Sequence, residues 1–132
     1  MQWDETLALG VPELDEQHRE ILRRLDALVH AIRRGSSRDE VGRTLAFLRE
    51  HVATHFTAEE ALMQAVGFPG LPPHQEEHDG FVRDLRALEA EHQNQGASPR
   101  LVVRVSGHVT AWLREHLFQS DRAVAEFLQA RA

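Results

Sequence analysis

Apolar residues recur at alternating spacings of three and four along most of the chain. One stripe runs Val11, Leu14, His18, Ile21, Leu25, Leu28 and Ile32, and a second runs Val41, Leu45, Leu48, Val52, His55, Glu59, Leu62 and Val66. A third comprises His74, His78, Phe81, Leu85, Leu88 and His92, and a fourth Val102, Val105, Val109, Trp112 and His116. Stripes of this period predict amphipathic helices facing a shared interior. Breakers separate them. Gly10 and Pro12 close an arm, and Arg33-Arg34-Gly35 has the basic residues and glycine of a helix end. Ser37 with Glu40 fits a capping box. Residues 67–73 form a breaker-rich loop whose Pro73 suits a first helical turn, and Ser98-Pro99 caps a last helix. The expected organisation is an arm over 1–11 and helices over 12–34, 37–66, 73–94 and 99–130. With such short connections, the whole of 1–132 is expected to be one all-α domain, an antiparallel up-and-down four-helix bundle.

Composition narrows the chemistry. There is no cysteine, which excludes disulfides, thiolate metal sites and thiol nucleophiles. A formal charge of −6 argues against a nucleic-acid partner. No apolar run is long enough to span a membrane. Met1 to Thr6 carries Asp4 and Glu5 and does not read as a secretory signal, so the expected compartment is the cytoplasm. Nine histidines in 132 residues need a reason.

Polar residues interrupt all four stripes. His18, His55, Glu59, His74, His78 and His116 all take core-spaced positions. An unpartnered buried polar group costs about 2–7 kcal/mol, against a total domain stability of about 5–15 kcal/mol. Six such groups would unfold a bundle this small, and metal ions satisfy them together. His55 with Glu59 and His74 with His78 are i,i+4 pairs, about 40° apart around a helix, so each pair can reach one ion. Five imidazoles and a carboxylate exceed what one tetrahedral zinc accepts and suit two carboxylate-bridged irons.

Asp121 is ambiguous by spacing. It follows His116 by five residues, about 140° around an ideal helix. A stripe of Asp121, Val124 and Leu128 requires one inserted residue, as in a π-type bulge. A competing stripe of Leu113, Leu117, Ser120, Val124 and Phe127 requires none.

These residues resemble the hemerythrin family, in particular its single-domain bacterial members (bacteriohemerythrins). The resemblance is carried by Trp3, Leu14-Asp15-Glu16-Gln17-His18, His55-Phe56-Thr57-Ala58-Glu59-Glu60, His74-Gln75-Glu76-Glu77-His78, and Trp112-Leu113-Arg114-Glu115-His116 followed by Asp121. It implies that Asp121 is a ligand after all. It implies two iron ions, one held by His74, His78 and His116 and the other by His18 and His55. Glu59, Asp121 and a solvent-derived oxo or hydroxo group would bridge them. The two-histidine iron then has a vacancy, and reversible dioxygen binding is the implied function, as carrier, store or scavenger. Ile21, Trp112, Leu113 and Leu117 are placed to line an apolar oxygen pocket, with Phe56 and Met63 as further candidates. Phe68 and Glu115 depart from the usual tyrosine and asparagine and bear on hydrogen bonding around the ligands. His30 and His108 read as surface residues, His92 as lying near a bundle end, and His51 and Glu60 as candidates to support a ligand ring.

Two other readings remain at this point. A di-iron enzyme acting on peroxide or nitric oxide is one. However, ferritin-like sites use glutamate-x-x-histidine pairs, and the single such pair here, Glu89 and His92, lies off the expected site. An oxygen-sensing module is the other. It would need a separate partner, and no protein partner is indicated.

Overall fold

The computed structural model describes residues 3–35 and 37–131, and for Ser37 the backbone alone. Four helical rods form an antiparallel up-and-down bundle, and the described residues contain no strand. The first three are α1 (Pro12–Arg34), α2 (Ser37–Val66) and α3 (Leu71–Gln95). Pro12 opens α1, and Gly35 closes it at a φ of 76°, with its N–H bonded to the carbonyls of Ala31 and Ile32. Gly67 ends α2 in the same left-handed conformation. That conformation costs a side-chain-bearing residue about 1 kcal/mol or more. The expected capping box cannot be followed, because the Ser37 side chain lies outside the described residues. Glu40 is buried and paired with Arg24 at 3.4 Å and Arg43 at 3.1 Å. The α3 helix begins two residues before the expected start, with Pro72 and Pro73 both inside its first turn. Ser98 caps the fourth rod as expected, accepting the Leu101 N–H at 3.2 Å.

The fourth rod is not uniform. It consists of α4 (Pro99–Val103), a π-helical turn (Arg104–Val109), α5 (Thr110–Glu115), a second π-helical turn (His116–Asp121) and α6 (Arg122–Arg131). The reason lies in the spacing of what it buries. Leu101, Val105, Val109, Leu113, Leu117 and Asp121 are all buried and follow one another at intervals of four. In an unbroken α-helix each such step drifts about 40°, or about 200° over five steps. A π turn accommodates one extra residue and winds back about 100°. Two of them cancel the drift, and the stripe stays straight. The second is the bulge that one reading of the sequence required. The first was not expected, and it shifts the apolar face: Leu101 and Leu113 are buried, whereas Val102 and Trp112 are half-buried.

A polar layer cuts the core in two. The larger apolar cluster includes Ile21, Leu25, Leu48, Phe56, Phe81, Leu85, Leu113 and Leu117. The smaller contains Leu9, Leu14, Met63, Val124 and Ala125. Ile32, expected in the core, is 43% exposed and Ala31 is buried in its place. The arm closes the smaller end. Asp15 accepts the backbone N–H groups of Leu9 at 2.8 Å and Gly10 at 3.3 Å, and the Gln129 amide donates to the Ala8 carbonyl at 3.0 Å. Among the described residues no helix is long and apolar enough to cross a membrane.

Candidate metal centre

Each rod delivers ring or acid groups to the polar layer at one level. The α1 helix contributes His18, α2 His55 and Glu59, α3 His74 and His78, and the second π turn His116 and Asp121. All seven are at most 3% exposed. The i,i+4 pairs of α2 and α3 project from one helical face by ordinary α geometry. His116 and Asp121 share a face only because the π turn takes up the residue between them.

The imidazoles converge through Nε2. Glu59 Oε2 stands 2.8 Å from His18 Nε2 and 3.3 Å from His55 Nε2, while Glu59 Oε1 stands 3.1 Å from His74 Nε2 and 3.3 Å from His78 Nε2. Asp121 divides itself the same way, with Oδ2 3.3 Å from His18 and Oδ1 3.1 and 3.2 Å from His74 and His116. The ligand atoms fall into two groups. Glu59, His74, His78, His116 and Asp121 each offer one atom within 4.8 Å of the others, and so do His18, His55 and Glu59. Metal–nitrogen bonds of about 2.1 Å put opposite ligands about 4.2 Å apart, so the larger group fits the coordination sphere of one ion.

The outward-facing nitrogens fix the rings. His55 Nδ1–H donates to Gln17 Oε1 at 2.6 Å, His78 Nδ1–H to Glu60 Oε2 at 2.7 Å, and His116 Nδ1–H to Glu77 Oε1 at 3.0 Å. With the proton committed outward, a neutral ring presents a lone pair at Nε2. His78 Nε2 and His116 Nε2 lie 2.9 Å apart, so neutral rings would point two lone pairs at each other. Asp121 Oδ1 is a buried acceptor with no hydrogen-bond partner. Both features call for positive charge between these atoms, and a divalent cation fits the donor set.

Without a metal, protons take that role. Burial opposes charging His74, but the carboxylates of Asp121 and Glu59 outweigh it and push the ring up to about 9. The same contest, burial against Asp121 and Glu59, raises His18 and His116. Burial favours neutral Glu59, and hydrogen bonds from His18, His55, His74 and His78 reverse that, holding it well below the usual carboxylate range.

Aromatic rings wall the three-histidine side. Phe56 stacks on His78 at 3.7 Å between centroids and 2° between planes, and Trp112 stacks on His116 at 4.6 Å and 12°. Ile21, Phe56, Leu113 and Leu117 belong to the larger cluster with Trp112 packed against it. Met63, expected in the same pocket, belongs to the smaller cluster on the arm side. The reason is its position one turn beyond Glu59 on α2, whereas Phe56 lies within the turn before it. A cleft of ≈ 450 Å³ between α1 and α2 is lined by Gln17, Ile21, Phe47, Thr54 and His55 among others.

Several supporting residues were missed or misplaced by sequence reasoning. His51 is 60% exposed and faces Glu50, and it supports no ligand. Glu60, one of two candidates for that role, does support one. Gln17 and Glu77 were not singled out, and no spacing rule exposes them because their partners lie on other helices. Ser120, whose Oγ–H donates to Glu77 at 2.7 Å, is four residues beyond His116, a signal that was available. Phe68 packs edge-on to Phe127 at 5.4 Å, and Glu115 is exposed.

The chain is similar to known proteins over most of its length. The family model described as Hemerythrin HHE cation binding domain matches residues 9–128. A protein named Bacteriohemerythrin from Ralstonia nicotianae is 31% identical over 134 residues, covering 99% of this chain and 90% of the relative. Another of that name from Stenotrophomonas maltophilia is 27% identical over 128 residues, covering 97% and 81%. A Hemerythrin-like protein from Naegleria gruberi is 37% identical over 87 residues, covering 66% and 67%.

Proposed function

This chain belongs to the hemerythrin family, and from that premise we propose that its polar layer holds two iron ions and that the protein binds dioxygen reversibly. His74, His78 and His116 would hold one ion and His18 and His55 the other, with Glu59, Asp121 and a solvent-derived oxo or hydroxo group between them. The observation that carries this reading is the division of the two carboxylates. Each sends one oxygen toward the three-histidine group and the other toward the two-histidine side, as a bridging ligand must. When bound, a ferrous pair would supply the two electrons that reversible dioxygen binding takes, and His18 and His55, the smaller donor set, would leave room for the ligand on their side.

The chain's own residues do the rest. Gln17, Glu60 and Glu77 hold three rings in the tautomer that presents Nε2 inward. Phe56 and Trp112 fix the planes of His78 and His116 by stacking. Ile21, Leu113 and Leu117 keep the neighbouring space apolar, which excludes the water and protons that would turn reversible binding into oxidation. The cleft beside Ile21 and His55 approaches the two-histidine side, where a small neutral ligand is needed.

The test is anaerobic reconstitution with ferrous iron, followed by cycles of oxygen addition and removal while metal content and visible absorption are recorded. The expected result is a reversible oxygen adduct at two irons per chain. Irreversible oxidation on first exposure would overturn the carrier reading in favour of an enzyme.

A further inference from the structure

We propose that Glu60 and Glu77 make the three-histidine half of the cluster the first to load, so that metal enters the site in a fixed order. This rests on the reading that the cluster holds two metals. The observation behind it is an asymmetry on the outer side of the rings. In the three-histidine half, two of three imidazoles donate Nδ1–H to a carboxylate: His78 to Glu60 and His116 to Glu77. Each acid is itself held in place, Glu60 by the Gln75 amide at 3.3 Å and Glu77 by the Ser120 hydroxyl at 2.7 Å. In the other half, His55 donates to the neutral amide oxygen of Gln17. Among the described residues, His18 and His55 form ion pairs only with the inward Glu59 and Asp121; Asp15 also acts on His18 by charge, but its carboxylate is bonded to the backbone N–H groups of Leu9 and Gly10 and not to the ring.

A carboxylate behind a ligand imidazole makes the ring a stronger donor and adds negative charge near the cation, whereas an amide only orients the ring. Glu59 serves both halves, whereas Asp121, although its Oδ2 reaches His18 at 3.3 Å, groups with the three-histidine half and adds to the same bias. The half with the extra imidazole therefore also has both outer acids, and the two effects act in the same direction. A chain with one metal holds it among His74, His78 and His116. The two-histidine half fills last and empties first. Glu60 and Glu77 act through the rings they touch, as positioning residues.

The experiment is anaerobic titration of the metal-free full chain with cobalt(II), which is paramagnetic and does not oxidise during the titration. A competing chromophoric chelator gives two stepwise affinities, and NMR of the histidine ring protons reports which side has filled. In the parent chain the first equivalent should give the large contact shifts of directly coordinated rings at His74, His78 and His116, and the second at His18 and His55. Glu77→Gln and Glu60→Gln should each weaken the first step about 10–100-fold and leave the second in place. Glu77→Asp should recover part of the loss, and Gln17→Glu should narrow the gap by strengthening the second step. Contact shifts appearing at both halves together, or an unchanged first step in Glu77→Gln, overturn the ordering while leaving the two-metal reading intact. Binding of fewer than two ions per chain overturns that reading, and the ordering with it.

Discussion

The fourth rod contains two π-helical turns, Arg104–Val109 and His116–Asp121, and they have different surroundings. One buries Val105 and Val109 among apolar neighbours; the other carries His116 and Asp121 into the polar layer. A π turn often marks a functional position, and the second would be read that way if it stood alone. The first shows that the deformation has a more general cause. Buried residues at a steady interval of four demand two corrections between Leu101 and Asp121, wherever the chemistry falls. The chemistry of the second turn comes from which side chains it carries, and its shape comes from register.

The comparison can be broken most severely by adding a residue where there is no slack. One alanine inserted after Ala111, in the exposed face of α5, would rotate Leu101, Val105 and Val109 about 100° away from Leu113 and His116 unless a third π turn formed. Each displaced large apolar side chain costs about 2–5 kcal/mol, and together these losses match the total stability of a domain. The expected outcome is loss of the cooperative thermal transition followed by circular dichroism.

A second test separates the turns by charge. The second turn brings an acid to the layer, so it should leave a pH signature on the metal-free chain. The raised rings of His18, His74 and His116 contribute stability that is fully present below their unfolded value near 6.5. That stability is lost as pH rises, for His74 through about 9. Denaturant unfolding of the metal-free protein should show stability falling between these limits, and Asp121→Asn should flatten the fall. A parent curve without any decline across that window would contradict the charge pattern described for the layer.

Removing a residue should do far less than adding one. Deleting the exposed Gln119 lets the second turn relax to α geometry and makes His116 and the aspartate an i,i+4 pair, like His55 and Glu59. Two metals per chain by elemental analysis and a stability change within about 2 kcal/mol are expected. Loss of metal would show that the π geometry aims Asp121 in a way an α turn does not. The smallest effect belongs to Gly107→Ala in the first turn. A Cβ there meets nothing within 4 Å, and its φ is not positive. A gain of about 0.5–1 kcal/mol in chemical denaturation is expected, without any change in metal content.

The sequence displays what depends on neighbours along one helix and hides what depends on neighbours across helices. His55 with Glu59 and His74 with His78 were legible because i,i+4 spacing alone puts them on one face. Asp121 was ambiguous because two registers accounted for Val124 equally well, and only the backbone path decides between them. The first π turn was invisible because Val105 and Val109 satisfy a three-and-four pattern with either neighbour, Val102 or Leu101. Gln17 and Glu77 find their partners on α2 and on the fourth rod. Asp15 carries no periodic signal of its own, yet it ties the arm through a turn that no periodicity describes.

The stacking of Trp112 on His116 gives the molecule an optical handle of its own. An indole lying flat on a ligand imidazole is an emitter coupled to whatever charge that imidazole faces, so its brightness follows loading without any attached dye. The chain's other tryptophan, Trp3, sits on the arm beneath the Arg19 guanidinium, and replacing it by phenylalanine would leave the emission of Trp112 alone.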